Sequence, residues 1–188
     1  MYTGKIVCVF CSSSNKIKKK YLDDAEKLGR KLSLQKIICL NGGGVDDVGS
    51  MGRLNKGIYE NNGHNISIIH EIWINKENYV KHEHLKEEIV LKGNDLSERK
   101  KLMRDKSDAF IILPGGTGTV DELMEIIELK KSGFHNKDII IVNSDGFYDP
   151  IINMLKKIKE ENFVREEVDI EKLFKVVYEI DDIDDIEL

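Results

Sequence analysis

Apolar positions along the chain follow two alternating periods. Five short runs, Lys5 to Phe10, Lys36 to Leu40, Asn65 to His70, Asp108 to Leu113 and Asp138 to Asn143, have the length and β-branched content of buried strands. Between the first two, Leu22, Ala25, Leu28, Gly29 and Leu32 recur at helical spacing, with Asp23, Asp24, Lys27 and Lys31 on the opposite side. The same pattern predicts helices from about Gly49 to Glu60, Leu96 to Lys106, Thr119 to Lys131 and Tyr148 to Lys159, with a long excursion after the third strand. Strands alternating with helices predict an α/β fold, a doubly wound parallel sheet with helices on both faces. Such a sheet binds its ligand at the carboxyl ends of the strands, so the segments after Phe10, Leu40, His70, Leu113 and Asn143 are the ones to search.

Beyond the last helix, Leu173, Phe174, Val177 and Ile180 suggest one more amphipathic segment, followed by an acidic tail over about 181–188 that reads as solvated. A length of 188 residues suits one core, so residues 1–188 are expected to form a single domain. The 29 Lys+Arg against 34 Asp+Glu give a net charge of -5, with the basic residues scattered, which argues against a dedicated nucleic-acid binder. Met1-Tyr2-Thr3-Gly4-Lys5 leads straight into the first strand, and no apolar stretch nears the roughly 20 residues that span a bilayer. A soluble cytoplasmic protein is expected. Cys8 and Cys11 spell C-x-x-C, but they begin inside an apolar strand rather than opening a helix, and with only Cys39 besides they predict neither redox nor zinc chemistry. His82-Glu83-His84 has metal-like composition, yet i,i+2 side chains diverge on a helix and no further ligand stands out, so no metal is assigned.

The segment Leu113-Pro114-Gly115-Gly116-Thr117-Gly118-Thr119-Val120-Asp121-Glu122 carries the strongest chemical signal. Its glycines let backbone approach a ligand, and the following helix offers free N–H groups and the positive end of its dipole, which together favour a phosphate. Thr117 and Thr119 add hydroxyls, and Asp121 and Glu122 are expected in the first helical turn. One acid there is explained by the dipole. Two acids beside an anion site weaken anion binding unless one is needed, which singles out Glu122. A Walker loop fails because Gly49 is followed by Ser50-Met51 rather than lysine, and a dinucleotide fingerprint fails because Asp121 stands where its last glycine belongs. Upstream, Ser97 to Arg104 is a basic helical segment from which Arg99 and Lys100 could reach an anion or a ribose. Ser12 and Ser13 after the first strand, and Gly43 and Gly44 after the second, lie at the same sheet edge.

These residues resemble a known family. Pro114-Gly115-Gly116-x-Gly118-Thr119-x-x-Glu122 matches the PGGxGTxxE signature of the LONELY GUY family of cytokinin riboside 5′-monophosphate phosphoribohydrolases, once labelled lysine decarboxylases. Glu98-Arg99-Lys100 with Met103 resembles its ERKxxM motif, Cys11-Ser12-Ser13 its opening loop, and Gly42-Gly43-Gly44 with Gly49-Ser50-Met51-Gly52 its second glycine loop. The resemblance implies a Rossmann-like fold, a homodimer or larger assembly, no cofactor, and hydrolysis of AMP or N6-substituted AMP to free base and ribose 5-phosphate. It implies Arg99 and Glu122 as the catalytic pair. Ser12, Ser13, Gly43, Gly44, Lys100, Met103, Gly115, Gly116, Thr117, Gly118, Thr119 and Asp121 would then bind substrate. The chain departs from the family pattern by two extra residues between Gly44 and Gly49, by Ser50 for Leu, by Ser12 for Gly, and by His70 where Pro is common. These departures bear on the base pocket. The alternatives are a non-catalytic nucleotide carrier on the same fold and, far behind, a pyridoxal-phosphate decarboxylase.

Overall fold

A computed structural model describes residues 4–44, 48–74 and 85–183. Seven strands form one sheet in the order β4-β3-β2-β1-β5-β6-β7, and every pairing is parallel. The strands are β1 (Ile6–Phe10), β2 (Ile38–Asn41), β3 (Asn65–His70), β4 (Glu87–Leu91), β5 (Ala109–Ile112), β6 (Asp138–Val142) and β7 (Lys175–Val177). Between them run α1 (Lys19–Leu34), α2 (Gly49–Tyr59), the single turn α3 (Glu71–Ile74), α4 (Ser97–Lys106), α5 (Thr117–Lys131) and α6 (Asp149–Glu160).

Strand alternation sorts the core into two layers. Val7, Val9 and Cys11 of the first strand segment face one side, where they meet Leu28 and Leu32 of α1 and Leu54 and Ile58 of α2. Cys8 and Phe10 face the other, with Met103 of α4, Leu123, Ile126 and Ile127 of α5 and Leu155 of α6. The chain moves outward from β1 to β2, β3 and β4, then returns through α4 to β5 on the other side of β1. That reversal opens a crevice at the carboxyl ends of β1 and β5, the usual ligand position in this architecture.

Five strands and five long helices agree with the pattern of apolar positions. β4 escapes it because its edge position leaves Glu87 exposed and Glu88 only half-buried, so no apolar run marks it. The segment around Leu173 to Ile180 is not one amphipathic element: it is the three-residue β7 between two short 3-10 turns. The start of the acidic tail is docked rather than solvated, since Ile183 is buried against the α1 layer and Lys27 pairs with Asp181 at 2.6 Å. Ile127 of α5 belongs to the core. All three cysteines are buried free thiols, and burial raises each, Cys39 to about 12, which suits packing and not redox chemistry. No helix among the described residues is long and apolar enough to cross a membrane.

Candidate active site

The glycine segment after β5 enters α5 two residues earlier than the apolar period suggests. Gly116 is the residue before the helix, Thr117 is its first residue, and the ladder begins with the Val120 N–H donating to the Gly116 carbonyl at 3.0 Å. The N–H groups of Thr117, Gly118 and Thr119 therefore precede the ladder, as in any first helical turn. Gly116 and Gly118 have open space where a side chain would stand, and Thr117 is exposed. Gly115 has none: a Cβ there would run into the buried Thr119 side chain, so the loop turns tightly against its own helix. The result is a rigid, open N-terminus suited to an anion.

The early start also moves the acids. Asp121 and Glu122 sit beyond the first turn of α5, which contains no acidic residue, so dipole stabilisation does not account for them. Asp121 points outward with a side chain 61% exposed, whereas that of Glu122 is 13% exposed.

Glu122 is held by Arg99 of α4, whose Nη1 lies 3.1 Å from Glu122 Oε1. Arg99 is itself buried, and two further contacts and one side-chain-free position fix it. Its Nε donates to the Ile68 carbonyl at 2.9 Å, its guanidinium carbon lies 5.1 Å from the Trp73 ring centroid, and Gly42 leaves room for its Nη2. A buried charge needs this degree of partnering. Burial pushes the Glu122 carboxyl above its ordinary range, Arg99 pulls it back down, and Asp121 adds to the rise. Next along α4, Lys100 bonds Asp121 at 2.9 Å and also pairs with Glu125, tying α4 to α5 beside the catalytic candidates.

The remaining expected residues divide. Ser12 and Ser13 lie at the crevice end of β1, where the Ser12 carbonyl accepts the Met51 N–H of α2 at 3.0 Å and Ser13 is exposed. Gly43 and Gly44 take left-handed backbone, φ 99° and 122°, and the Gly43 N–H donates to Asn41 Oδ1 at 2.9 Å. Met103 is wholly inside the core, so its structural place is packing, with no surface for a ligand. His82, Glu83 and His84, and residues 45–47 of the lengthened loop, lie outside the described residues. Among those described, no three His, Cys, Asp or Glu side chains gather as a metal site.

Two supports were not singled out from sequence. A buried amide pair, Asn41 to Asn55 at 2.7 Å, anchors the second glycine loop; its only signal is an Asn at the carboxyl end of an apolar strand. Trp73 flanks Arg99, and its signal is the chain's one tryptophan placed just after the third strand.

A family model described as "Possible lysine decarboxylase" matches residues 51–185. A probable cytokinin riboside 5′-monophosphate phosphoribohydrolase of Oryza sativa subsp. japonica is 39% identical over 159 residues, 85% of this chain and 63% of the relative. One from Arabidopsis thaliana named cytokinin riboside 5′-monophosphate phosphoribohydrolase is 37% identical over 158 residues, 84% of this chain and 71% of the relative. The chain belongs to this phosphoribohydrolase family. It spans less than two thirds of the rice relative. The family match runs from α2 to the C-terminal turns and includes Arg99, Glu122 and the glycine loop. Solved structures share the fold at low identity. The molybdenum cofactor carrier protein of Chlamydomonas reinhardtii has a TM-score of 0.65 at 18% identity, covering 94% of this chain and 91% of that one. A molybdenum cofactor binding protein of Rippkaea orientalis gives 0.65 at 19%, with the same coverage. At such identity these carriers speak for the fold alone.

Proposed function

We propose that this member of the phosphoribohydrolase family hydrolyses the N-glycosidic bond of AMP or an N6-substituted AMP. The products are the free base and ribose 5-phosphate. The observation that carries this reading is the Arg99–Glu122 pair, 3.1 Å apart and buried, beside an open helix N-terminus. The 5′-phosphate docks on the N–H groups of Thr117 to Thr119 with their hydroxyls, fixing the ribose relative to Glu122. As the C1′–N9 bond breaks, its electron pair leaves with the base and positive charge develops on the ribose, which the Glu122 carboxylate stabilises. Water then bonds C1′; its proton passes to Glu122 and on to the departing base. Arg99 keeps the carboxylate ionised and aimed. Ser12, Ser13, Gly43 and Gly44 close the crevice from β1 and β2.

A decarboxylase using a lysine Schiff base is disfavoured by the lysine at the site. Although burial pulls it down, bonds to Glu125 and Asp121 hold the Lys100 ammonium above its ordinary range, the opposite of an activated amine. A carrier on the same fold would bind AMP without consuming it. Incubation with a panel of nucleoside 5′-monophosphates and nucleosides, with chromatography of released base, separates the readings. Base released from AMP supports the hydrolase, and binding without release supports the carrier. A cytoplasmic homodimer completes the proposal, supported by the three reduced thiols and by Met124, which α5 leaves 37% exposed.

A further inference from the structure

β3 ends in a histidine whose ring is only half used. His70 is 4% exposed, and strand alternation places it on the same side as Ile68, the face covered by α4. Its Nδ1 accepts the Ile72 backbone N–H at 3.2 Å. A ring nitrogen that accepts carries no proton, so the neutral imidazole holds its hydrogen on Nε2 and Nε2 is a donor. That donor has no partner among the described residues. A buried donor left unpaired is unfavourable, so a native one calls for an explanation.

The ring lies in the wall of a cavity of about 390 Å³ whose other walls include Trp73, Asn94 and Leu96. Gly93 stands in front of Nε2, which is 4.0 Å from where a Cβ on that glycine would be, so no side chain fills the space. Trp73 joins this cavity to the catalytic candidates. His70 meets it edge-on, centroids 6.2 Å apart, and the Arg99 guanidinium lies over the same indole. Leu96, at another wall, immediately precedes α4 and its Arg99. The volume falls at the lower end of small-molecule pockets, enough for a heteroaromatic base.

We propose that this cavity is the base subsite and that His70 Nε2–H donates to a hydrogen-bond acceptor on the nucleobase, a ring nitrogen or a carbonyl oxygen. The inference rests on the hydrolase reading for its placement of the ribose at Glu122. His70 then acts as a specificity residue, selecting bases with an acceptor at that edge.

Trp73, the only tryptophan, reports binding by its fluorescence. In a Glu122→Gln background, where AMP persists, the dissociation constants of AMP and of its 1-deaza, 3-deaza and 7-deaza analogues are measured. One analogue is expected to bind about tenfold more weakly than AMP, the scale of one hydrogen bond. His70→Asn, whose side-chain oxygen can still take the Ile72 N–H but which has nothing at the Nε2 position, should bring that analogue level with AMP. His70→Gln, with a donor near that position, should restore part of the difference. Melting curves establish that the variants fold. The proposal is overturned if all three analogues bind like AMP, if AMP does not bind, or if the weak analogue stays weak in His70→Asn. Base release by the wild-type protein is assayed separately: its absence would end the hydrolase reading while leaving the acceptor measurement to stand or fall alone.

Discussion

Gly42 and Arg99 share one space: a Cβ built on Gly42 would stand closer to Arg99 Nη2 than real Cβ contacts allow. Gly42 is not among the glycines with left-handed backbone, so alanine is tolerated by the chain conformation there and the obstruction is the side chain alone. Gly42→Ala should therefore push the guanidinium away from Glu122 and leave the sheet intact. Displacements of about 1 Å at a reacting centre can lower turnover by about 10²-fold. Loss of kcat in a protein that still folds, with a lowered melting temperature from the weakened buried pair, is the expected result, and wild-type kcat would show that Arg99 need not hold its present position.

Glu122 and Arg99 should fail in different ways. Glu122→Gln keeps the size of the side chain and removes the charge, so kcat should fall by roughly 10² or more while AMP still binds. Arg99→Ala removes a buried cation with three contacts and should depress kcat while raising KM. Steady-state kinetics on both decide the matter. A Glu122→Gln enzyme with normal turnover and weakened AMP affinity would make Glu122 a binding residue instead.

The pH profile follows from the same pair. Burial raises the Glu122 carboxyl above its ordinary 4.5, and Arg99 opposes the rise without cancelling it. Catalysis needs the ionised form, so activity should be lost as pH falls through the raised value, placing the acidic limb above 4.5. For stability, a raised acid is best tolerated protonated. Its favourable contribution is fully present below the unfolded value and is lost as pH rises through the folded one. Ionised Glu122 at neutral pH is thus a strain that Arg99 relieves. Arg99→Gln should move the acidic limb of kcat/KM, which reports the free enzyme, to higher pH, and a limb at or below 4.5 in the wild type would contradict this account.

The sequence made the glycine loop legible for physical reasons, and the Arg99–Glu122 pair through its resemblance to the family motifs. Glycines between an apolar strand and a helix survive in any reading of the residues, whereas the cation before that strand and the acid after it are joined only by the motifs. The first turn of α5 was harder to place, because two glycine-flanked positions can belong to loop or helix until Val120 finds Gly116. β4 was hidden by its charged edge, and His70 by its ambiguity. As the last residue of an apolar run, a histidine looks like a strand end, and only the cavity before it and the Ile72 N–H behind it show that one nitrogen is spare. Met103 illustrates the opposite error: it belongs to a recognisable motif, but a side chain on the inner face of α4 serves the core.

The proposed homodimer can be tested at Met124. α5 uses Leu123, Ile126 and Ile127 to cover the sheet, which leaves Met124 37% exposed on its outer side. If this surface pairs two copies, light scattering should give a multiple of 21.5 kDa for the wild type and a smaller mass for Met124→Glu. A wild-type monomer at micromolar concentration would refute the homodimer.

The phosphate site should decide which substrates are consumed. If the free N–H groups at Thr117 to Thr119 hold the 5′-phosphate, adenosine loses the anchor that fixes its ribose against Glu122, and AMP should be cleaved while adenosine is nearly inert. Gly115→Ala probes the same anchor from the protein side. A methyl there would collide with the buried Thr119 side chain and displace the first turn of α5. Its effect on AMP should be a lower kcat/KM, because both the anion site and the approach of Glu122 depend on that turn. Gly118, with open space at its Cβ position, offers the contrast: alanine there leaves the turn in place and encroaches only on the ligand, so KM should rise more than kcat falls. Equal cleavage of AMP and adenosine, with both alanine variants unaffected, would place the phosphate elsewhere and remove the glycine loop from the mechanism.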